Sequence, residues 1–368
     1  MTATAPGGAD TSKVVLPGQT PEGGYILSLL LKRSYDIGAD GICRRAAKDM
    51  VIFTGDVYWG DPMNSTIRYE SDFIPYKPAT DVVLNGTAYA PEGIPVASCY
   101  VTLQVEESRK QIFVLGDRVA RYVKDNVPLF TDPAPFATME LRYERAYGGI
   151  DVFSDNRTPY PYPRNPLGCG FMVGATPRGV DNLPLPNLEV PSAPLTPDML
   201  CIGEYARWEQ QPTPAGFGWL PKTCLPRAGL AGILPADRKT EQELRQAYAR
   251  LIPDGQQREK YLRYGFPDMD FRFFNGASPG QIFPFLNGGE RIVTENLDPR
   301  GVVSFRLPED TPVLGLDIGF GVQEPPVVLH TVMIRMDDRQ VDLVWRGAVP
   351  YEGPDWLPRM QRMDVHIG

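Results

Sequence analysis

The side chains of this chain that could do chemistry gather in four stretches, and carboxylates dominate them. Glu70, Asp72, Asp81, Glu140, Glu144, Asp268 and Asp270 include the residue types with which a pair of acids can cleave a glycosidic bond. That chemistry needs two carboxyl groups about 5 or about 9 Å apart, a separation that spacing along the chain does not fix. The first stretch, Glu70 to Asp81, alternates acids with Phe73, Tyr76 and Lys77 around Pro75 and Pro78, and Asn85 to Pro91 follows it. Two prolines so close predict an extended, stiff segment with side chains pointing both ways. It is either a recognition surface or a loop whose charges pair internally. The second, Met139 to Gly149, alternates so that a strand would place Glu140, Arg142 and Glu144 on one face and Leu141, Tyr143 and Arg145 on the other. The third, Pro214 to Pro221, is turn-rich and aromatic and suits packing. In the fourth, Asp268 to Gln281, Phe271 and Phe273 alternate with Arg272, whose guanidinium fork matches a carboxylate. Asn275 and Gln281 close this stretch.

Most other chemistries are excluded by what the chain lacks. Its two histidines are His330, inside the apolar run PVVLHTVMI and readable as a satisfied strand histidine, and His366, two residues from the end. Histidine-based metal sites and Ser/His/Asp or Cys/His triads need an imidazole held by a rigid shell. The chain has no GxxxxGK[ST], HExxH, SxxK, DTG or DSG. Gly168-Cys169-Gly170 with Gly174 is one residue out of step with GxGxxG and lies among prolines. No catalytic residue, metal or cofactor is therefore assigned. With 45 acids against 37 bases the net charge is −8, the wrong sign for neutralising phosphates, so nucleic acid is not an expected partner. Cys43, Cys99, Cys169, Cys201 and Cys224 form no CxxC pair, which suits reduced, mostly buried thiols in a cytoplasm. The opening MTATAPGGADTSK has neither the basic nor the apolar region of a secretory signal. The apolar run Tyr25 to Leu31 is far too short to span a bilayer, so no membrane insertion is expected.

The elements that must position these residues are strands and loops. With 38 prolines and 36 glycines, long helices cannot dominate, while 16 Phe and 17 Tyr supply a core. Strand character marks 25–37, 49–58, 96–105, 110–115 and 138–143, and again 302–307, 313–320, 327–335 and 341–345. The expected fold is mainly β: a large antiparallel β-sandwich or barrel-like scaffold with long Pro/Gly-rich loops and one or two short helices near 240–264. The capping box of Thr240 and Glu243 opens the first helix, and Leu244, Ala247, Tyr248 and Leu251 give it an apolar face. Residues 1–23 read as a flexible arm and 351–368 as a C-terminal tail. Between them, 24–350 form a single large domain or two packed β halves, 24–150 and 265–350, bridged by the Pro-rich region 155–234.

The stretches also recur as blocks in a fixed order: ESDFIPYKPATDVVLNGTAYAP, MELRYERAYGG, NPLGCGF with LPNLE, PAGFGWLP, then DMDFRFFNGASPGQ and LNGGE. From about Gly24 to about Leu307 the chain thereby resembles the bacterial type VI secretion adaptor or chaperone proteins, once known only as a domain of unknown function. The resemblance implies a cytoplasmic, non-enzymatic protein, often encoded beside VgrG and PAAR genes, that loads an effector onto the spike. Its partners would be the secreted effector, PAAR or VgrG proteins. The residues that would meet them are those of the blocks: Glu70, Asp72, Phe73, Tyr76, Lys77, Asp81, Arg142, Tyr143, Arg145, Asp270, Arg272, Phe273, Asn275 and Gln281. Two other readings remain open. One is a carbohydrate-binding or glycoside-processing β protein with Trp59, Trp208, Trp219, Trp345 or Trp356 as sugar platforms. In the other the blocks are internal ties that hold loops together, and the contact surface lies elsewhere.

Overall fold

A computed structural model describes residues 12–122, 128–151, 159–172, 182–201, 211–231, 269–319, 321–353, 355 and 363–368. The largest sheet has seven strands. Its order runs Lys13–Gln19, Tyr25–Ile37, Gln340–Pro350, Val327–Arg335, Thr80–Asn85 and Ile282–Phe283, with Cys43–Arg45 paired to the end of Tyr25–Ile37. A five-stranded sheet runs Leu188–Glu189, Ser108–Leu115, Ser98–Val105, Arg291–Glu295 and Val302–Arg306. Period-two patterning explains how they meet. Val101, Leu103 and Val105 point inward with Ile112, which stands opposite Val101, and Val114, opposite Cys99, toward Leu29, Leu31, Val82, Leu84, Val332, Ile334, Leu343 and Trp345 of the larger sheet. These residues belong to one apolar core, so the expected sandwich is present.

The other face of the large sheet is also buried, and there polar side chains lie among apolar ones such as Leu30, Val83 and Met333. Ser28, Lys32, Ser34, Asp81, Thr331, Arg335 and Asp342 lie on it, and the 46–79 segment covers it. Ser28 Oγ donates to the Pro75 carbonyl at 2.6 Å, the Met50 amide donates to Ser34 Oγ at 2.8 Å, and Lys32 pairs with Asp72. Arg335 Nε reaches Asp342 Oδ2 at 2.7 Å. Buried charges are tolerated only when paired and hydrogen-bonded in this way.

Several expectations need correction. No described sheet closes on itself, so the scaffold is a sandwich and not a barrel. It is not wholly antiparallel, because Val327–Arg335 and Thr80–Asn85 run parallel. The expected arm contains the strand Lys13–Gln19, paired along its length with Tyr25–Leu31; Pro17 is tolerated because this is an edge strand. The expected tail contributes Asp364–Ile367, which pairs with Leu314–Asp317. The two groups of strands do not form separate halves: each of the two large sheets contains strands of both groups, a consequence of long-range pairing. Of 49–58 only Val57–Tyr58 pairs as a strand, against Ile67–Tyr69. The helices expected near 240–264 lie outside the described residues. Among those described, helix amounts to one α turn, Arg227–Leu230, and short 3-10 turns.

Candidate functional site

Asp81 is the hub into which the blocks converge. It sits fully buried on Thr80–Asn85, and its Oδ2 meets Lys77 Nζ at 2.6 Å. Asn275 Nδ2 donates to Oδ1 at 3.1 Å, and the amides of Gly276 and Ala277 donate to the carboxylate at 3.1 and 3.3 Å. Lys77 also reaches Thr331 Oγ1 at 3.0 Å and lies 5.1 Å from the centre of the Trp219 ring. The Lys77 amide donates to His330 Nε2 at 3.2 Å, and burial, with Arg346 and Lys77 nearby, holds that imidazole well below its usual pKa. The expected strand histidine is thus a neutral acceptor in the interior.

Glu70 forms a second knot. Its carboxylate lies 2.6 Å from Arg227 and 3.2 Å from Lys222, and Arg227 also donates to the Leu220 and Phe273 carbonyls at 2.6 and 2.8 Å. Gly276 passes so close that a Cβ there would lie 2.4 Å from Glu70 Oε2 and 2.6 Å from Arg227 Nη1. Gln281 donates to the Val82 and Phe217 carbonyls at 2.8 and 3.1 Å and accepts from Lys110 at 2.7 Å. Tyr143 is buried, which raises its phenol pKa, and its ring packs on Gly216. In these residues the blocks act as internal ties, satisfying loop carbonyls and amides that lack a sheet partner.

The remaining expected site residues lie apart. Asp72 is bound to Lys32 and to the Phe53 amide at 2.7 Å. Phe73 is exposed, whereas Tyr76 lies edge-on to Phe271 at 5.4 Å with the Arg346 guanidinium 4.8 Å from its ring centre. Arg272 does grip a carboxylate, but it is that of Asp270, through Nε at 2.8 Å and Nη2 at 2.5 Å; these bonds lower the Asp270 pKa. The expected alternation of Phe271, Arg272 and Phe273 is replaced by a 3-10 turn that Asp270 caps. Phe273 is half-buried under Arg227.

Arg142 and Arg145 are brought together, against the strand alternation read from sequence. The strand stops at Glu140, and Tyr143–Arg145 form a 3-10 turn that swings Arg145 toward the side of Arg142 and Glu144. All three line an open cleft of about 840 Å³ with Trp59, Arg118 and Arg121. Arg142 lies 4.2 Å and Arg68 4.6 Å from the Trp59 ring centre, cation–π contacts that restrain both guanidiniums. Arg142 Nη2 meets Glu140 Oε1 at 2.6 Å. Arg145 Nη1 donates to Asn187 Oδ1 at 3.1 Å and stands 3.7 Å from Asp117. Glu144 accepts from the Thr66 amide and hydroxyl, each at 2.7 Å. Arg118 pairs with Glu189.

Carboxylates of the blocks are thus engaged by cations or by donors of the chain itself, and Asp268 lies outside the described residues. Of the tryptophans considered as sugar platforms, Trp219 and Trp345 are buried, and Trp208 and Trp356 are outside the described residues. Sequence reasoning missed Arg118, Arg121, Arg227 and Lys110. Lys110 alone carried a signal, as a lysine at an inward position of an alternating strand; the others acquire their partners only through long-range contacts. No group of His, Cys, Asp and Glu residues able to hold a metal occurs among the described residues. No described helix is long and apolar enough to cross a membrane.

No curated protein and no solved structure matches the chain. A family model described as an uncharacterized protein conserved in bacteria, DUF2169, matches residues 22–346, and the chain belongs to that bacterial family.

Proposed function

We propose that this protein is a non-enzymatic adaptor or chaperone that binds a type VI secretion effector or PAAR-containing protein in the cytoplasm and helps load it onto the VgrG spike. The observation that carries the reading is the open cleft beside Trp59, where guanidiniums converge while the block carboxylates are spent on internal pairs. Arginine and aromatic side chains held in place are what protein interfaces concentrate at their energetic centres. The block resemblance supplies the class of partner. The carbohydrate reading has less support, since Glu70, Asp72 and Asp81 each end on a lysine or arginine.

Co-expression with the products of the neighbouring effector and spike-tip genes, followed by affinity capture of this chain, tests the proposal. Retention of an effector or PAAR protein is expected. Capture of neither overturns it.

A further inference from the structure

We propose that the Trp59 cleft takes an acidic, extended segment of the partner polypeptide, and that Glu140 and Asp117 occupy the places of its carboxylates until it arrives. This deepens the adaptor reading and rests on it for the identity of the partner, though not for the chemistry of the cleft.

In a chain of net charge −8, four arginines, Arg118, Arg121, Arg142 and Arg145, line one cleft. Only Arg118 is paired with a deeply buried acid, Glu189. Arg142 and Arg145 face acids at the rim: the Glu140 side chain is 51% exposed and that of Asp117 82%, the latter still 3.7 Å from Arg145. The Nε of Arg142 is buried with no hydrogen-bond partner. Arg121 is exposed and no described acid pairs with it. Exposed pairs of this kind contribute little and exchange readily, whereas a guanidinium already stacked on an indole loses little freedom when it takes a carboxylate. A segment bringing its own acids can therefore displace Glu140 and Asp117 at small cost. A polynucleotide would set most of its phosphates outside the cleft, against a surface of like charge; a short acidic segment puts its charge at the arginines alone.

The test is fluorescence anisotropy with a labelled hexaglutamate peptide, run beside hexalysine and oligothymidylate. Hexaglutamate is expected to bind, and more weakly as salt rises. Arg121→Glu should weaken it about fivefold or more, and the pair Glu140→Gln with Asp117→Asn should tighten it. The second variant is the sharper arm, because removing carboxylates improves binding only if they compete with the ligand. Circular dichroism melts establish that Arg121→Glu, an exposed change, remains folded. Absence of hexaglutamate binding, or binding indifferent to both variants, overturns the inference, as does oligothymidylate binding through the same arginines. An effector captured equally by wild type and Arg121→Glu would sink the cleft and leave the adaptor standing. Arginine-dependent peptide binding with no effector captured would do the reverse.

Discussion

Lys110 Nζ lies 2.6 Å from Ser278 Oγ, and no carboxylate pairs with it among the described residues. Lys110 stands opposite Leu103 in the five-stranded sheet, at an inward position shared with Ile112 and Val114. Its side chain reaches out of the apolar layer to Ser278 and Gln281, tying the fourth block to that sheet. Burial lowers its pKa from the ordinary 10.5 to about 7.

The pH dependence follows from that depression. Between about pH 7 and 10.5 the unfolded chain holds a proton on Lys110 that the folded chain does not, so stability rises with pH across that window and is lost as pH falls toward 7. The stability of wild type relative to Lys110→Met should climb by up to about 4 kcal/mol between those limits. Urea unfolding of both proteins at several pH values measures it, and a constant difference would refute the prediction.

His330 titrates in the opposite part of the scale. Its folded pKa is depressed, so its contribution is complete above the ordinary 6.5 and is lost as pH falls below that value, where the unfolded chain gains a proton first. In the folded protein its imidazole NMR signals should show no titration near pH 6.5. A midpoint there would mean that the ring is not the neutral acceptor of the Lys77 amide.

Asp81 should be the costliest single position in the blocks. Asp81→Asn leaves the buried Lys77 ammonium without its counter-charge, a loss of about 3–5 kcal/mol by denaturant unfolding. Adding Lys77→Met to that variant removes the stranded charge, so the double change should cost less than the sum of the single ones. Strict additivity would show that the two do not act as a pair.

Gly276→Ala tests the close approach of the Glu70–Arg227 knot. The new methyl would meet Glu70 Oε2, Arg227 Nη1 and Trp219 within 2.4 to 2.9 Å, and two of these groups are held by their own ion pair. Overpacking of this kind costs about 1–3 kcal/mol, to be read as a fall in the urea midpoint. An unchanged midpoint would mean that the knot is loose.

The sequence alone determined the class of the fold, because period-two alternation such as Val101, Leu103 and Val105 is local, and so is the punctuation by proline and glycine that excludes long helices. It also carried the blocks, whose order and composition are properties of the chain. It could not show that Lys13–Gln19 is a strand, since Pro17 and Gly18 look like breakers until the segment is seen at a sheet edge, nor that Tyr143–Arg145 turns out of the strand and swings Arg145 into the cleft. Which acid meets which base was likewise decided by tertiary structure. Asp81 with Lys77 and Asp270 with Arg272 are near neighbours in the chain, but Glu70 pairs with Arg227 and Lys32 with Asp72 across long separations. Ion pairs act through space and gain strength with burial, and both the distance and the burial of a side chain are set by how the sheets pack.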